Sequence, residues 1–254
     1  MEILNLKYNK FCEPKCKGYK KISKYITIID EFFENFDQSK DFFTSREKWL
    51  CNKYQGNSKP GYESIFPHWV GRSLMEKYII DNKISEDMNS YDTVCNFFYN
   101  SFDKSITSIS QSSIYPHVDT ICEEEDVLSY ICLINLNDIS IATKFYTFDG
   151  EEFCTKEMHS DWQNYSSTLQ KNMFDYCNGN PTTNKLKEYL NQVENLKINF
   201  IRKVEYSPNQ AIIYPANLFH SPYIPAEFNE NNLRSVLRIC FNAKKSKINY
   251  FDYK

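Results

Sequence analysis

His117 and Asp119 stand two positions apart in IYPHVDT, residues 114–120. In an extended chain side chains i and i+2 project from the same face, so an imidazole and a carboxylate would share one space. A group of matching chemistry comes much later: His220 closes the run AIIYPANLFHSP, which reads as a strand followed by a turn. Two histidines and one carboxylate on strands of a small barrel are the ligands of the facial triad that binds Fe(II) and leaves coordination positions open. Those open positions are where chemistry would occur. 2-Oxoglutarate chelates such an iron through its keto and C1 carboxylate oxygens, and its C5 carboxylate is best held by an arginine fork. The run RSVLRICF supplies Arg234 and Arg238 on one strand face shortly after His220. A buried guanidinium there is costly without an anionic partner, which the co-substrate would provide.

The elements that must position these groups fall into two parts. Residues 1–90 read as a helical N-terminal extension packing on the core. From Ile22 to Phe43 the apolar residues Ile22, Tyr25, Ile26, Ile29, Phe32, Phe33 and Phe36 recur at three- and four-residue steps, the pattern of an amphipathic helix. The polar loop QGNSKPGYES follows, and a second helical pattern runs around Gly71 to Asn82. Residues 91–254 change character to short apolar or alternating runs: VCNFFYN, SIYPHV, LSYICLINLN, IATKFYTF, KINFIRKVEY, AIIYPANLF and RSVLRICF. Spaced by turn residues, they predict an antiparallel sandwich or barrel. Residues 160–195 interrupt it with two polar helical patterns, TLQKNMFDYC and KLKEYLNQVENL, separated by the turn signal NGNPTTN.

Composition narrows the class. The chain has 254 residues, 41% hydrophobic and 16% aromatic, enough to bury a substantial core. A net charge of -3, with no basic stripe interleaved with aromatics, argues against nucleic acid as partner. No stretch approaches the ~20 apolar residues of a membrane span, and the charged N-terminus does not read as a signal peptide. Nine cysteines without repeated spacing fit reduced thiols, so the expected setting is cytoplasmic. Cys12 and Cys16 have a spacing that could begin a zinc site, but no second Cys/His pair with finger-like spacing follows.

Residues 115–241 resemble the catalytic core of the Fe(II)/2-oxoglutarate-dependent oxygenases, especially the prolyl-hydroxylase-like branch and phage-type oxygenase domains. The resemblance rests on ordered motifs: YPHVDT, ICLINLND, TKFY, NQAIIYPANLFHSP and LRSVLRICF. It implies a mainly β fold with helices, a double-stranded β-helix (jelly-roll, cupin-like) core flanked by N-terminal helices and a helical insertion. It further implies iron ligands His117, Asp119 and His220, with Arg234 gripping the C5 carboxylate of 2-oxoglutarate. Arg238 stands where the family often has a small polar residue, and reads as a second co-substrate contact or part of the substrate pocket. Asn135 falls where the prolyl-hydroxylase branch often places a tyrosine that bonds the same carboxylate. Because Asp119 is present, hydroxylation of a C–H bond using O2 is preferred over halogenation. The expected substrate is a small molecule, an amino acid or a peptide side chain. A metal-binding barrel without turnover, and a cupin-type dioxygenase not using 2-oxoglutarate, are the alternatives.

Other residues carry weaker signals. His68 reads as a packed histidine and His159 as a solvated one. Trp162, Tyr115 and Tyr146 are candidate pocket walls. The acidic run CEEED, residues 122–126, reads as a solvated hairpin loop that could also attract a cationic substrate.

Overall fold

The computed structural model describes residues 14–44, 51–53, 62–66, 68–81, 93–100, 116–119, 127–179, 183–192, 196–223 and 234–244. Among them are eleven strands: β1 (Gly18–Lys21), β2 (Thr27–Asp30), β3 (Cys51–Lys53), β4 (Tyr62–Phe66), β5 (Thr93–Asn100), β6 (Val127–Asn135), β7 (Ile141–Phe148), β8 (Ile198–Tyr206), β9 (Ala211–Pro215), β10 (His220–Tyr223) and β11 (Arg234–Lys244). Four helices accompany them: α1 (Phe36–Thr44), α2 (His68–Asp81), α3 (Lys156–Tyr176) and α4 (Thr183–Gln192). No helix of the described residues is long and apolar enough to cross a membrane.

The strands form two antiparallel sheets. The larger runs β1-β2-β9-β6-β11-β5-β4-β3 and the smaller β10-β7-β8. Strand β11 shows how they are layered. Its residues Leu237, Ile239 and Phe241 enter a core shared with Phe42 and Phe43 of α1 and with Leu74, Met75 and Tyr78 of α2. Its alternate residue Val236 enters a second core with Ile141, Phe145, Val204 and Tyr206 of the smaller sheet. The period-2 alternation of a strand thus divides β11 between a helix-covered outer face and the packed interior between the sheets.

The helix expected over Ile22 to Phe43 is corrected. Strand β2 occupies the middle of that stretch, pairing Thr27, Ile28 and Ile29 with Ile213, Ile212 and Ala211 of β9, and only Phe36–Thr44 is helical. Both faces of β2 are buried, Ile29 in the helix-side core and Ile28 between the sheets. A strand covered on both sides loses its polar alternation, and its apolar run then matches helical spacing by coincidence. The first 90 residues therefore supply sheet as well as helices: β1 and β2 lie at one end of the larger sheet, β4 and β3 at the other.

The excursion between β7 and β8 is a helical hairpin. Thr155 caps α3 by accepting a hydrogen bond from the Met158 amide at 3.3 Å. The helix ends through Asn178 and Gly179, both left-handed at φ 54° and 72°, with the Gly179 amide closing on the Phe174 carbonyl. Leu169, Met173 and Cys177 of this first limb pack on Leu186 of α4.

Candidate metal centre

The segment 116–119 is attached to β10 by a two-bond bridge. The His117 amide donates to the His220 carbonyl and the His220 amide to the His117 carbonyl, each at 2.9 Å. Residues that exchange both backbone bonds across an antiparallel pair lie directly opposite with side chains on one face. The two imidazoles accordingly sit with ring centroids 4.5 Å apart. Asp119, two residues on, returns to the same face and is tied by its own amide to the Ala216 carbonyl at 2.9 Å. Nitrogen and oxygen ligand atoms of His117, Asp119 and His220 all lie within 4.8 Å of one another.

The turn between β9 and β10 that delivers His220 is held from several directions. Leu218 donates back to the Pro215 carbonyl, and the Cys154 and Phe219 amides bond to the Asn217 and Glu152 carbonyls. The Leu218 carbonyl accepts a 2.8 Å bond from His220 Nδ1. This places the ring's other nitrogen, Nε2, toward Asp119 Oδ2 at 3.2 Å. With Nδ1 carrying the hydrogen, a neutral His220 presents a lone pair to a carboxylate lone pair. A metal ion placed between the two lone pairs would satisfy both. The donor set therefore fits a divalent transition metal. Burial acts to raise the pKa of the Asp119 carboxyl. The His220 hydrogen bond and the charges of His220, Arg238 and His117 outweigh it and hold the group well below the usual range.

Arg234 and Arg238 occupy the inter-sheet face of β11, about 13 Å apart along the strand, but have different surroundings. Arg238 donates from Nη1 to Asp119 Oδ1 at 3.2 Å. Arg234 is buried, and its Nε has no hydrogen-bond partner among the described residues. Among the other buried polar atoms without a hydrogen bond of good geometry to the described residues are Thr143 Oγ1, Tyr206 Oη and Tyr214 Oη, and Arg238 Nε shares the condition of Arg234 Nε. Burial raises the Tyr206 hydroxyl pKa, offset in part by the neighbouring Arg234 and Thr143. Burial also raises Tyr214 well above its ordinary value, reinforced by Asp119 and Tyr206 and opposed by Arg234 and Arg238. Tyr214 thus couples electrostatically to both arginines, and its ring contacts His220 at 4.9 Å. An unsatisfied buried hydroxyl costs roughly 1–3 kcal/mol, so these positions could each gain from a polar partner.

Tyr206, Thr143 and Tyr214 escaped the sequence reading. Among 19 tyrosines nothing in the residue type distinguishes these two. The one available signal was alternation: Ile141, Thr143 and Phe145 share a face, and Thr143 is the polar member.

Asn135 is buried and lies in a hydrogen-bond network of the protein's own. Its amide nitrogen donates to the Ile139 carbonyl at 2.9 Å and the Tyr206 carbonyl at 3.2 Å, so both hydrogens are engaged. Its oxygen accepts from the backbone and side chain of Asn137, which in turn holds Ser235. Asn135 fastens the entry of β11 beside Arg234 and has no donor left for a carboxylate.

Trp162 does not line the side on which the ligands converge. It packs on Phe148 and Phe219, in a cluster that also receives Val118. Phe219 and Val118 adjoin the metal ligands in sequence but point the other way, so α3 backs the ligand-bearing strands. Tyr146 shares that outer cluster and reaches Ser221 Oγ at 3.0 Å. His159 lies half-buried on α3, apart from the triad. His68 begins α2. Cys12, Tyr115 and the acidic run 122–126 lie outside the described residues, and Cys16 is buried in the helix-side core.

Residues 13–243 match the family described as "Family of unknown function (DUF6445)". The chain belongs to that family. No curated protein matches it. Similar solved structures include EvdO2 from Micromonospora carbonacea var. aurantiaca, 8% identical, with a TM-score of 0.43 and coverage of 89% of this chain and 93% of that one. A Pseudomonas putida prolyl-4-hydroxylase is 8% identical with a TM-score of 0.41, covering 87% and 92%. The non-heme alpha-ketoglutarate-dependent carbocyclase SnoK from nogalamycin biosynthesis is 8% identical with a TM-score of 0.41, covering 85% and 79%. At such distances this DUF6445 chain has to be read from its own site.

Proposed function

We propose that the protein is an Fe(II)- and 2-oxoglutarate-dependent oxygenase whose two sheets form a double-stranded β-helix core. The observation that carries this reading is the pairing of two features along the inter-sheet face of β11. A His117–Asp119–His220 triad lies at one place, and along the same strand face as Asp119's partner Arg238 lies a buried arginine among orphaned hydroxyls. His117, Asp119 and His220 hold the metal. Arg234, with the hydroxyls of Thr143 and Tyr206, takes the distal carboxylate of the keto acid, which gives the buried Arg234 Nε the partner it lacks among the described residues. Tyr214 fills the space between these two posts and keeps water out. When bound, iron, 2-oxoglutarate and O2 supply oxidative decarboxylation, with succinate and CO2 as co-products, coupled to hydroxylation of an unactivated C–H bond. The substrate is a small molecule, an amino acid or a peptide side chain.

The test is succinate release from 2-oxoglutarate by anaerobically reconstituted protein after O2 is admitted, beside His117→Ala. Turnover that disappears in the variant supports the reading. Tight 2-oxoglutarate binding that depends on Arg234 but gives no succinate would indicate an enzyme idle without its substrate. Metal binding with no affinity for 2-oxoglutarate would defeat the co-substrate assignment and favour a barrel of another chemistry.

A further inference from the structure

We propose that Arg238 is a positioning residue that restricts Asp119 to ligation through one oxygen. The inference rests on the metal-site reading above and concerns a residue at which this chain departs from the pattern it resembles. The two Asp119 oxygens face different partners: Oδ2 lies 3.2 Å from His220 Nε2, on the ligand side, and Oδ1 lies 3.2 Å from Arg238 Nη1. The supports of the two residues are unequal. Arg238 sits on a strand paired on both flanks, opposite Leu133 of β6 and Asn96 of β5, so its backbone is immobile. Asp119 belongs to a short segment outside the named strands, tied at its amide to Ala216 and through His117 to His220. Its backbone is placed by those bonds, whereas rotation of its carboxylate is limited by what the oxygens touch.

A carboxylate beside a divalent ion can bind through one oxygen or two. Two-oxygen ligation with both histidines would occupy four positions of an octahedral ion and leave two. A chelating keto acid and O2 together need three. A charge-assisted bond from an always-protonated guanidinium to Oδ1 keeps that oxygen off the metal and preserves the third position. Arg238 therefore acts through Asp119, while Arg234, four residues earlier, acts on the co-substrate.

The experiment is a titration of metal-depleted protein with Co(II) alone, following visible absorption, for wild type, Arg238→Met, Arg238→Lys and His117→Ala. Wild type binds Co(II) and His117→Ala does not. Arg238→Met changes the Co(II) absorption band because the coordination number does, with an affinity that departs from wild type. Arg238→Lys, which retains one cationic donor, returns the band toward wild type; should the Met variant fail to fold, Arg238→Gln, which keeps the size and loses the charge, shows the shifted band in its place. A folded Arg238→Met protein with wild-type Co(II) affinity and spectrum would overturn the proposal, and a simultaneous loss of 2-oxoglutarate binding would reassign Arg238 to the co-substrate. Wild-type protein that binds no Co(II) at the triad would bring down the metal reading itself, and this proposal with it.

Discussion

Arg234 and Arg238 lie on one strand, on one face, four residues apart, yet they stand in opposite electrostatic conditions. Arg238 meets a carboxylate at 3.2 Å, although its Nε, like that of Arg234, has no hydrogen bond to the described residues. Arg234 is more deeply buried and has no carboxylate partner among the described residues, and its electrostatic neighbours include the hydroxyls of Tyr206 and Tyr214. A buried charge left unpaired costs several kcal/mol in a folded protein. Folding stability therefore accounts for Arg238 and not for Arg234. In the proposed reading the difference separates an arginine that organises the protein from one that receives the co-substrate.

The most severe disruption of this comparison is removal of the metal end. His117→Ala is expected to abolish metal-dependent 2-oxoglutarate decarboxylation, measured as succinate, while leaving Arg234 in place. Next comes the unpaired arginine. Arg234→Met should weaken 2-oxoglutarate binding by about 100-fold or more, in line with loss of ~2–5 kcal/mol from a buried charge pair, as read by calorimetry. In the same variant the thermal midpoint of the ligand-free protein should not fall, because an uncompensated buried charge is gone. Arg238→Met should behave in the opposite manner, lowering that midpoint because Asp119 loses its guanidinium. If both arginine variants shift stability in the same direction, the distinction drawn here fails.

Tyr206→Phe sharpens the picture on a smaller scale. Loss of one hydroxyl from the proposed carboxylate post should cost ~1 kcal/mol in binding, about fivefold in the 2-oxoglutarate dissociation constant, with no loss of stability. His159→Ala, on the helical hairpin behind the ligand strands, should change turnover less than about twofold.

Much of the metal site was legible in the sequence because its information is local. His117 and Asp119 share a face by strand alternation, and His220 closes a run that is recognisably a strand and a turn. The same rule put Arg234 and Arg238 together. The β7–β8 excursion was legible too, since a capped polar helix and an Asn-Gly turn are written in consecutive residues. The network around Asn135 was less legible, because one of its bonds reaches Tyr206, 71 positions away, and its neighbour Asn137 holds Ser235, 98 positions away. The stretch Ile22 to Phe43 misled because burial on both faces of β2 erased the alternation that identifies a strand.

Residue types and short-range spacing by themselves pointed to the candidate ligands His117 and Asp119, the arginine strand and the antiparallel character of the chain, because each depends on geometry that repeats every two residues. Tertiary structure alone decided which polar atoms are left without partners. Thr143, Tyr206 and Tyr214 come from three different strands, and whether a hydroxyl is satisfied depends on what other strands bring within about 3 Å of it. The separate roles of the two arginines were decided in the same way, by the position of Asp119 against one and not the other.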